Sequence, residues 1–206
     1  MKNDMARSLL YSYMSGFMAL AEKCGLNPAT DETVSDSAYP FIPHYSPVVL
    51  AQTFIRVEKY LYNKGIKHDP TFLDAGCGIG NIMLLARSAG FDVSGIDLNP
   101  DLIELAHYLL DSHVVHENSF TLDIANILSY NKYNTFDVIY YYHPLSDSKL
   151  ESEFEKKVED EAKEGAIIIA ALKRDWTIIR DKRFRRLKYL ESTSDASVFQ
   201  KICATV

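Results

Sequence analysis

TFLDAGCGIGNIMLLARSAGFDVSGIDLNP, residues 71–100, decides the fold. Phe72 and Leu73 form a short apolar run that closes at Asp74, and Gly76, Gly78 and Gly80 follow at alternate positions. Asn81 to Ala89 carries Ile82, Leu85 and Ala86 at helical spacing, Gly90 stops it, and Phe91 to Ile96 reads as a second strand ending at Asp97. The pattern is strand, glycine turn, helix, strand. Glycine at the turn permits backbone angles that a side chain would obstruct. It also lets a ligand lie against the main chain, where the opening turn of the helix offers unpaired N–H groups. An acid about 20 residues on, at the tip of the second strand, is placed to hold the two hydroxyls of a ribose.

Dinucleotide-binding turns favour G-x-G-x-x-G. Here the spacing is G-x-G-x-G, with Asp74 two positions ahead of the first glycine. A carboxylate there repels a pyrophosphate and suits a cationic ligand. In these residues the chain resembles the class I S-adenosylmethionine-dependent methyltransferases, whose first motif is acid-x-G-x-G-x-G; Asp74 to Gly80 match every fixed position. The resemblance implies that Asp74, Gly76, Cys77, Gly78, Gly80 and Asn81 line the S-adenosylmethionine site. It further implies that Asp97 holds the ribose beside Leu98, and that Asp123 and Ile124 meet the adenine. Asp123 can equally cap a helix expected at Ala125 to Ser129.

Composition fits a folded enzyme. The chain has 206 residues, 47% of them hydrophobic, and a net charge of −6, so it is not a generic polyanion binder. Its three cysteines, Cys24, Cys77 and Cys203, are odd in number and far apart, which points to a reducing, cytoplasmic compartment rather than a disulfide framework. Lys2 and Arg7 precede an apolar stretch, but Asp4 interrupts the basic region, and Leu10, Met14, Phe17 and Ala21 share one helical face. The expectation is an amphipathic helix over 4–24, without a leader or a membrane span. A proline-punctuated loop follows, then a helix from Val48 to Asn63 with Pro47 at its first position. The family often lays such helices over its cofactor, so residues 1–66 are expected to form a helical extension, or lid, and 67–206 the cofactor-binding domain. Tyr45 would then face the substrate or pack beneath the lid.

Leu102, Leu105, Ala106 and Leu109 mark a helix after Asn99-Pro100, and a third strand should lie within 113–124. His113 and His116 have no companion ligands, so no metal is expected. Phe136 to Tyr142 is the fourth strand, followed by His143-Pro144. In the resembled family the end of this strand carries the catalytic residues. Amino methyltransferases often have N/D-P-P-Y/F there, and only Pro144 matches. His143 can accept a proton near neutral pH, or merely close a turn. Tyr142 can orient a substrate, and Tyr140 and Tyr141 can line a sulfonium pocket with their ring faces, or simply pack.

Lys149 to Glu164 reads as a helix with Leu150, Phe154, Val158 and Ala162 buried and its many acids solvated. Ala166 to Leu172 is wholly apolar, as a central parallel strand covered on both faces requires. Arg185 to Glu191 and Ala196 to Ile202 read as an antiparallel pair. Between Lys173 and Lys188 lie eight basic residues against two acids, a solvated edge or a weak candidate surface for nucleic acid. The fold expected is α/β, a doubly wound, mostly parallel sheet with an antiparallel C-terminal hairpin and an N-terminal helical extension. Asp74 to Gly80, Asp97-Leu98, Asp123-Ile124 and Tyr140 to Pro144 all fall at strand carboxyl ends, where such sheets bind ligands. The expected activity is methyl transfer to an acceptor, with a small molecule or partner-delivered substrate favoured. A cofactor-binding module without turnover and an NAD-dependent oxidoreductase are the alternatives.

Overall fold

The computed structural model describes residues 47–113, 120–192, 194 and 196–202. The helix expected over 4–24, Tyr45, His116, Cys24 and Cys203 lie outside the described residues. Seven strands form one sheet in the order β3-β2-β1-β4-β5-β7-β6. They are β1 Thr71–Ala75, β2 Asp92–Asp97, β3 Phe120–Ile124, β4 Val138–Tyr142, β5 Ile167–Ala171, β6 Phe184–Arg186 and β7 Ala196–Lys201. The first five pair in parallel, and β7 runs antiparallel to both β5 and β6. The chain moves outward from β1 through β2 to β3, then restarts on the other side of β1 with β4. A crevice therefore opens above the carboxyl ends of β1 and β4.

Four helices flank the sheet among the described residues: α1 Pro47–Asn63, α2 Asn81–Ser88, α3 Pro100–His113 and α4 Ser148–Glu161. Side-chain alternation divides the core between the two faces. Phe72 and Tyr140 join Leu50, Phe54 and Phe91 on one face. Leu73, Ile139 and Tyr141 join Phe154 and Val158 on the other. Phe54 meets Phe72 and Tyr140 edge-on at centroid distances of 5.2 and 5.7 Å. Burying each such side chain contributes about 1.5–3 kcal/mol. Helix α1 lies along β7: Tyr60 Oη donates to Gln200 at 2.7 Å, and Thr53 Oγ1 is 2.6 Å from Ser192 Oγ. Because β7 begins at the ligand-binding rim, α1 runs from the rim downward.

Three expectations are corrected. No helix forms over Ala125 to Ser129; Asn126 instead folds a turn, its side chain accepting from Leu128 N–H at 2.9 Å, and a short 3-10 helix follows at Tyr133–Thr135. The strand expected over Arg185 to Glu191 stops at Arg186, and Lys188–Leu190 forms a 3-10 turn that buries Leu190. The acids of α4 are not all solvated: Glu151, Glu155 and Glu159 are buried. They sit at i, i+4 and i+8, beside the apolar row Leu150, Phe154 and Val158, and widen the covered face.

Gly95, in the middle of β2, is a packing requirement that the sequence did not announce. A Cβ there would stand 2.3 Å from Met83 Sδ and 2.8 Å from Cys77 Sγ. Substituting Gly95→Ala is expected to destabilise the fold by about 1–3 kcal/mol. Thermal unfolding should show it as a drop of several degrees.

Candidate functional site

The glycine turn is held by the end of β2. Ile96 C=O accepts from both Gly76 and Cys77 N–H at 2.9 Å, and Asp97 Oδ2 accepts from Gly78 N–H at 2.9 Å. Asp97 Oδ1 accepts from Asn99 N–H, also at 2.9 Å. Gly76, Gly78 and Gly80 all take positive φ, at 87°, 51° and 77°. Gly80 precedes α2, and Asn81, its first residue, is buried. At Gly76 a Cβ would also press on Pro144 at 3.1 Å, so the turn at the end of β1 and the residues after β4 approach closely.

Asp74 is buried on this turn's own strand, and among the described residues its Oδ2 has no hydrogen-bond partner. Its register neighbour on β4 is Tyr140, whose buried hydroxyl also lacks one. Burial, with a smaller contribution from Asp97, pushes the Asp74 carboxyl well above the usual range. Burial also raises Asp97, against the N–H groups of Asn99, Gly78 and Leu98 that favour its charge. Two adjacent buried polar groups without protein partners are uncommon and call for a ligand or a bound water. Leu98 and Ile124, at the ends of β2 and β3, are exposed apolar side chains. Asp123 is half exposed, with Lys132 Nζ 3.9 Å away.

The structure thus brings Asp74, the glycine turn, Asn81, Asp97, Leu98, Asp123, Ile124 and Tyr140 to one side of the crevice. Tyr142 shares the face of Tyr140 and is partly buried against the first core. Tyr141 is not brought there. Strand alternation turns it to the opposite face, where Lys173 Nζ donates to its hydroxyl at 3.2 Å.

His143 stands at the far side of the crevice with φ 41°, in the left-handed region. Leu172, the residue after β5, has φ 52°. Tyr142 pairs with Ala171, so these two residues occupy equivalent positions beyond adjacent strands. Each such non-glycine conformation costs about 1–3 kcal/mol and must be held by its surroundings. The glutamates of α4 hold them. Lys173 Nζ lies 2.9 Å from both Glu155 and Glu159. Glu155 also accepts from the backbone N–H of Arg174 and Asp175, at 2.9 and 2.7 Å. Glu151 accepts from Leu145 N–H at 2.9 Å and lies 3.2 Å from His143 Nδ1. Arg174 donates to His143 Nε2 through Nε at 3.2 Å and Nη2 at 2.9 Å. Burial and then the Arg174 charge lower the His143 pKa, so the ring is neutral. With Nε2 accepting, its single proton is on Nδ1, toward Glu151. Sequence reasoning singled out His143 but not the Glu151, Glu155, Lys173 and Arg174 that surround it; the only signal was the glutamates' four-residue spacing.

Comparison with known proteins adds the family. The family described as "Methyltransferase domain" matches residues 66–202. The 2-methyl-6-phytyl-1,4-hydroquinone methyltransferase of Synechocystis is 33% identical over 122 residues, 59% of this chain and 36% of that protein. The ribosomal protein L11 methyltransferase of Cupriavidus necator is 35% identical over 77 residues, 32% of this chain and 26% of that protein. The matches thus span about a third or less of these relatives' length. Among solved structures, an RNA methyltransferase from Salinibacter ruber superposes with a TM-score of 0.56 at 17% identity, over 80% of this chain and 96% of that one. Magnesium protoporphyrin IX methyltransferase from Synechocystis gives 0.53 at 17%, over 74% and 78%. At such identities the likeness is one of fold.

The buried network has a pH signature. Burial pushes the Glu151 carboxyl up to about 7, with the Leu145 N–H opposing and Glu155 adding to the rise. Between the unfolded value of about 4.3 and this one, the folded state binds more protons, so Glu151 makes stability fall as pH rises. Relative to a Glu151→Gln variant, the native chain is expected to lose several degrees of melting temperature between pH 5 and pH 8. Circular dichroism at the two pH values checks it; a constant difference would contradict the assignment.

Proposed function

We infer that this chain, which belongs to the methyltransferase-domain family, transfers a methyl group from S-adenosylmethionine to a small-molecule acceptor. The observation that carries the reading is the pair of buried, unpartnered polar groups, Asp74 Oδ2 and Tyr140 Oη, beside a glycine turn with no Cβ in the way. A cationic nucleoside fits that arrangement. In this reading the main chain of Gly76 to Gly80 and Asn81 backs the ligand, and Cys77 packs beneath it. Asp74, whose charged form burial disfavours, gives up its proton as the cation binds and then faces it as a carboxylate. Asp97 keeps acceptor capacity for ribose hydroxyls, since each carboxylate oxygen has a second lone pair. Leu98 and Ile124 sandwich the adenine, and Asp123 takes its amino group.

When bound, the cofactor supplies a methyl group already activated by its sulfonium. The protein's work is then to position the acceptor, to exclude water and, where the acceptor is protonated, to remove a proton. His143 is the base, with Tyr142 beside it on the crevice wall. Helix α1, which descends from the rim, acts in this reading as the described part of the lid. Of the eight basic residues between Lys173 and Lys188, Lys173, Arg183 and Arg186 are matched by carboxylates. That favours a small or partner-delivered substrate over nucleic acid. Among the described residues no helix is long and apolar enough to cross a membrane. Cys77 is a buried free thiol, in keeping with a cytoplasmic setting.

Asp97→Ala removes charge-assisted hydrogen bonds, each worth about 1.5–3 kcal/mol. S-adenosylhomocysteine affinity by calorimetry should fall by about 10- to 100-fold. Binding as tight as in the native chain would overturn the site.

A further inference from the structure

Beside His143, whose chain neighbour Pro144 approaches Gly76, lies a cavity of about 380 Å³, also bordered by Leu172, Lys173, Arg174, Trp176 and Ser197. That volume lies at the small end of ligand pockets. The walls differ in chemistry. Leu172 and Trp176 are exposed apolar surfaces, at 41% and 43%. The Arg186 guanidinium stacks over the Trp176 ring at 5.4 Å and is itself paired with Glu191, which fixes the indole.

Two cations border the cavity, and among the described residues only Lys173 forms ion pairs with carboxylates, while Glu151 feels the Arg174 charge without pairing with it. Lys173 is 1% exposed and clamped between Glu155 and Glu159. The Arg174 guanidinium is exposed, and among the described residues no carboxylate forms an ion pair with it. Glu155, the nearest candidate by sequence contact, is spent on the Arg174 and Asp175 backbone and on Lys173. What Arg174 does hold is a neutral imidazole nitrogen, a weaker partner for a guanidinium than a carboxylate.

We propose that this cavity is the acceptor subsite and that it takes a small aromatic hydroxy acid. The inference rests on the methyl-transfer reading and deepens it by naming the acceptor class. The acceptor's carboxylate takes the Arg174 guanidinium in a bidentate pair, and its ring lies against Trp176 and Leu172. As the guanidinium turns to the carboxylate, Nε2 of His143 loses its donor and its lone pair faces the acceptor hydroxyl. The O–H bond then breaks: the proton ends on Nε2, and the electron pair stays on the oxygen, which becomes the nucleophile. The resulting imidazolium keeps Nδ1–H toward the Glu151 carboxylate, which offsets its charge. The acceptor thereby unmasks the base, and an empty cavity leaves it covered.

Trp176 is the only tryptophan in the chain, so its fluorescence reports on this cavity directly. The full-length protein is titrated with 4-hydroxybenzoate, benzoate and 4-hydroxybenzamide. Saturable changes are expected with both acids, and binding at least about tenfold weaker with the amide, which lacks the charge. Arg174→Gln should weaken both acids about tenfold or more, and Arg174→Lys by less, because the charge remains but the planar fork is lost. Asp97→Ala should leave acid binding intact while losing S-adenosylhomocysteine. Failure of the acids to bind a chain that still binds S-adenosylhomocysteine overturns the subsite alone. Equal binding of acid and amide, or acid affinity unchanged in Arg174→Gln, overturns it too. Loss of nucleoside binding alone would overturn the cofactor reading and leave the acid site in place.

Discussion

The half of the rim built on β1 and β2 depends on the carbonyl of Ile96 and the carboxylate of Asp97. Together they accept from three consecutive N–H groups of the glycine turn, those of Gly76, Cys77 and Gly78. A turn tethered in this way cannot relax independently of β2. A one-residue slip of β2 against β1 would reverse the facing of Asp97 and undo the tether. The register is protected from the other side by Gly95, whose missing Cβ lets Cys77 and Met83 close over the strand. Helix α2 starts where the turn leaves it, so its opening N–H groups face the same crevice.

The other half of the rim is built by a different physics. Between β4 and α4 the positions of functional atoms are set by buried charge rather than by main-chain bonds. Glu151, Glu155 and Glu159 meet Lys173, His143 and several backbone N–H groups. Buried ion pairs of this sort add little net stability, because desolvation cancels much of the attraction. What they provide is geometry: two residues, His143 and Leu172, held in left-handed conformations side by side. Strain maintained by a charged scaffold suits a place where side chains must meet a substrate. The glycine turn is thus set by rigid backbone, and the segment after β4 by a titratable network.

The layout of the glycine turn was legible from residues 71–100, where glycines recur at alternate positions before a helix and an acid ends each flanking strand. Tyr140 and Tyr141 illustrate the limit. Both are aromatic and both lie on β4, yet strand alternation sets Tyr140 beside Asp74 and Tyr141 beside Lys173. Residue type alone carried no information on which goes where.

The sequence by itself determined the alternation of strands and helices, the doubly wound sheet and the acids flanking the glycine turn. Those follow from local propensity and periodicity, which short stretches encode completely. Only the tertiary structure decided that the α4 glutamates are buried, that Arg174 rests on His143, and that Gly95 leaves room for two sulfur atoms. Each of those depends on atoms from elements far apart in the chain meeting at one point. A burial or a charge partner of that kind has no signature in any single segment, because the energy lies in the pair and not in either member.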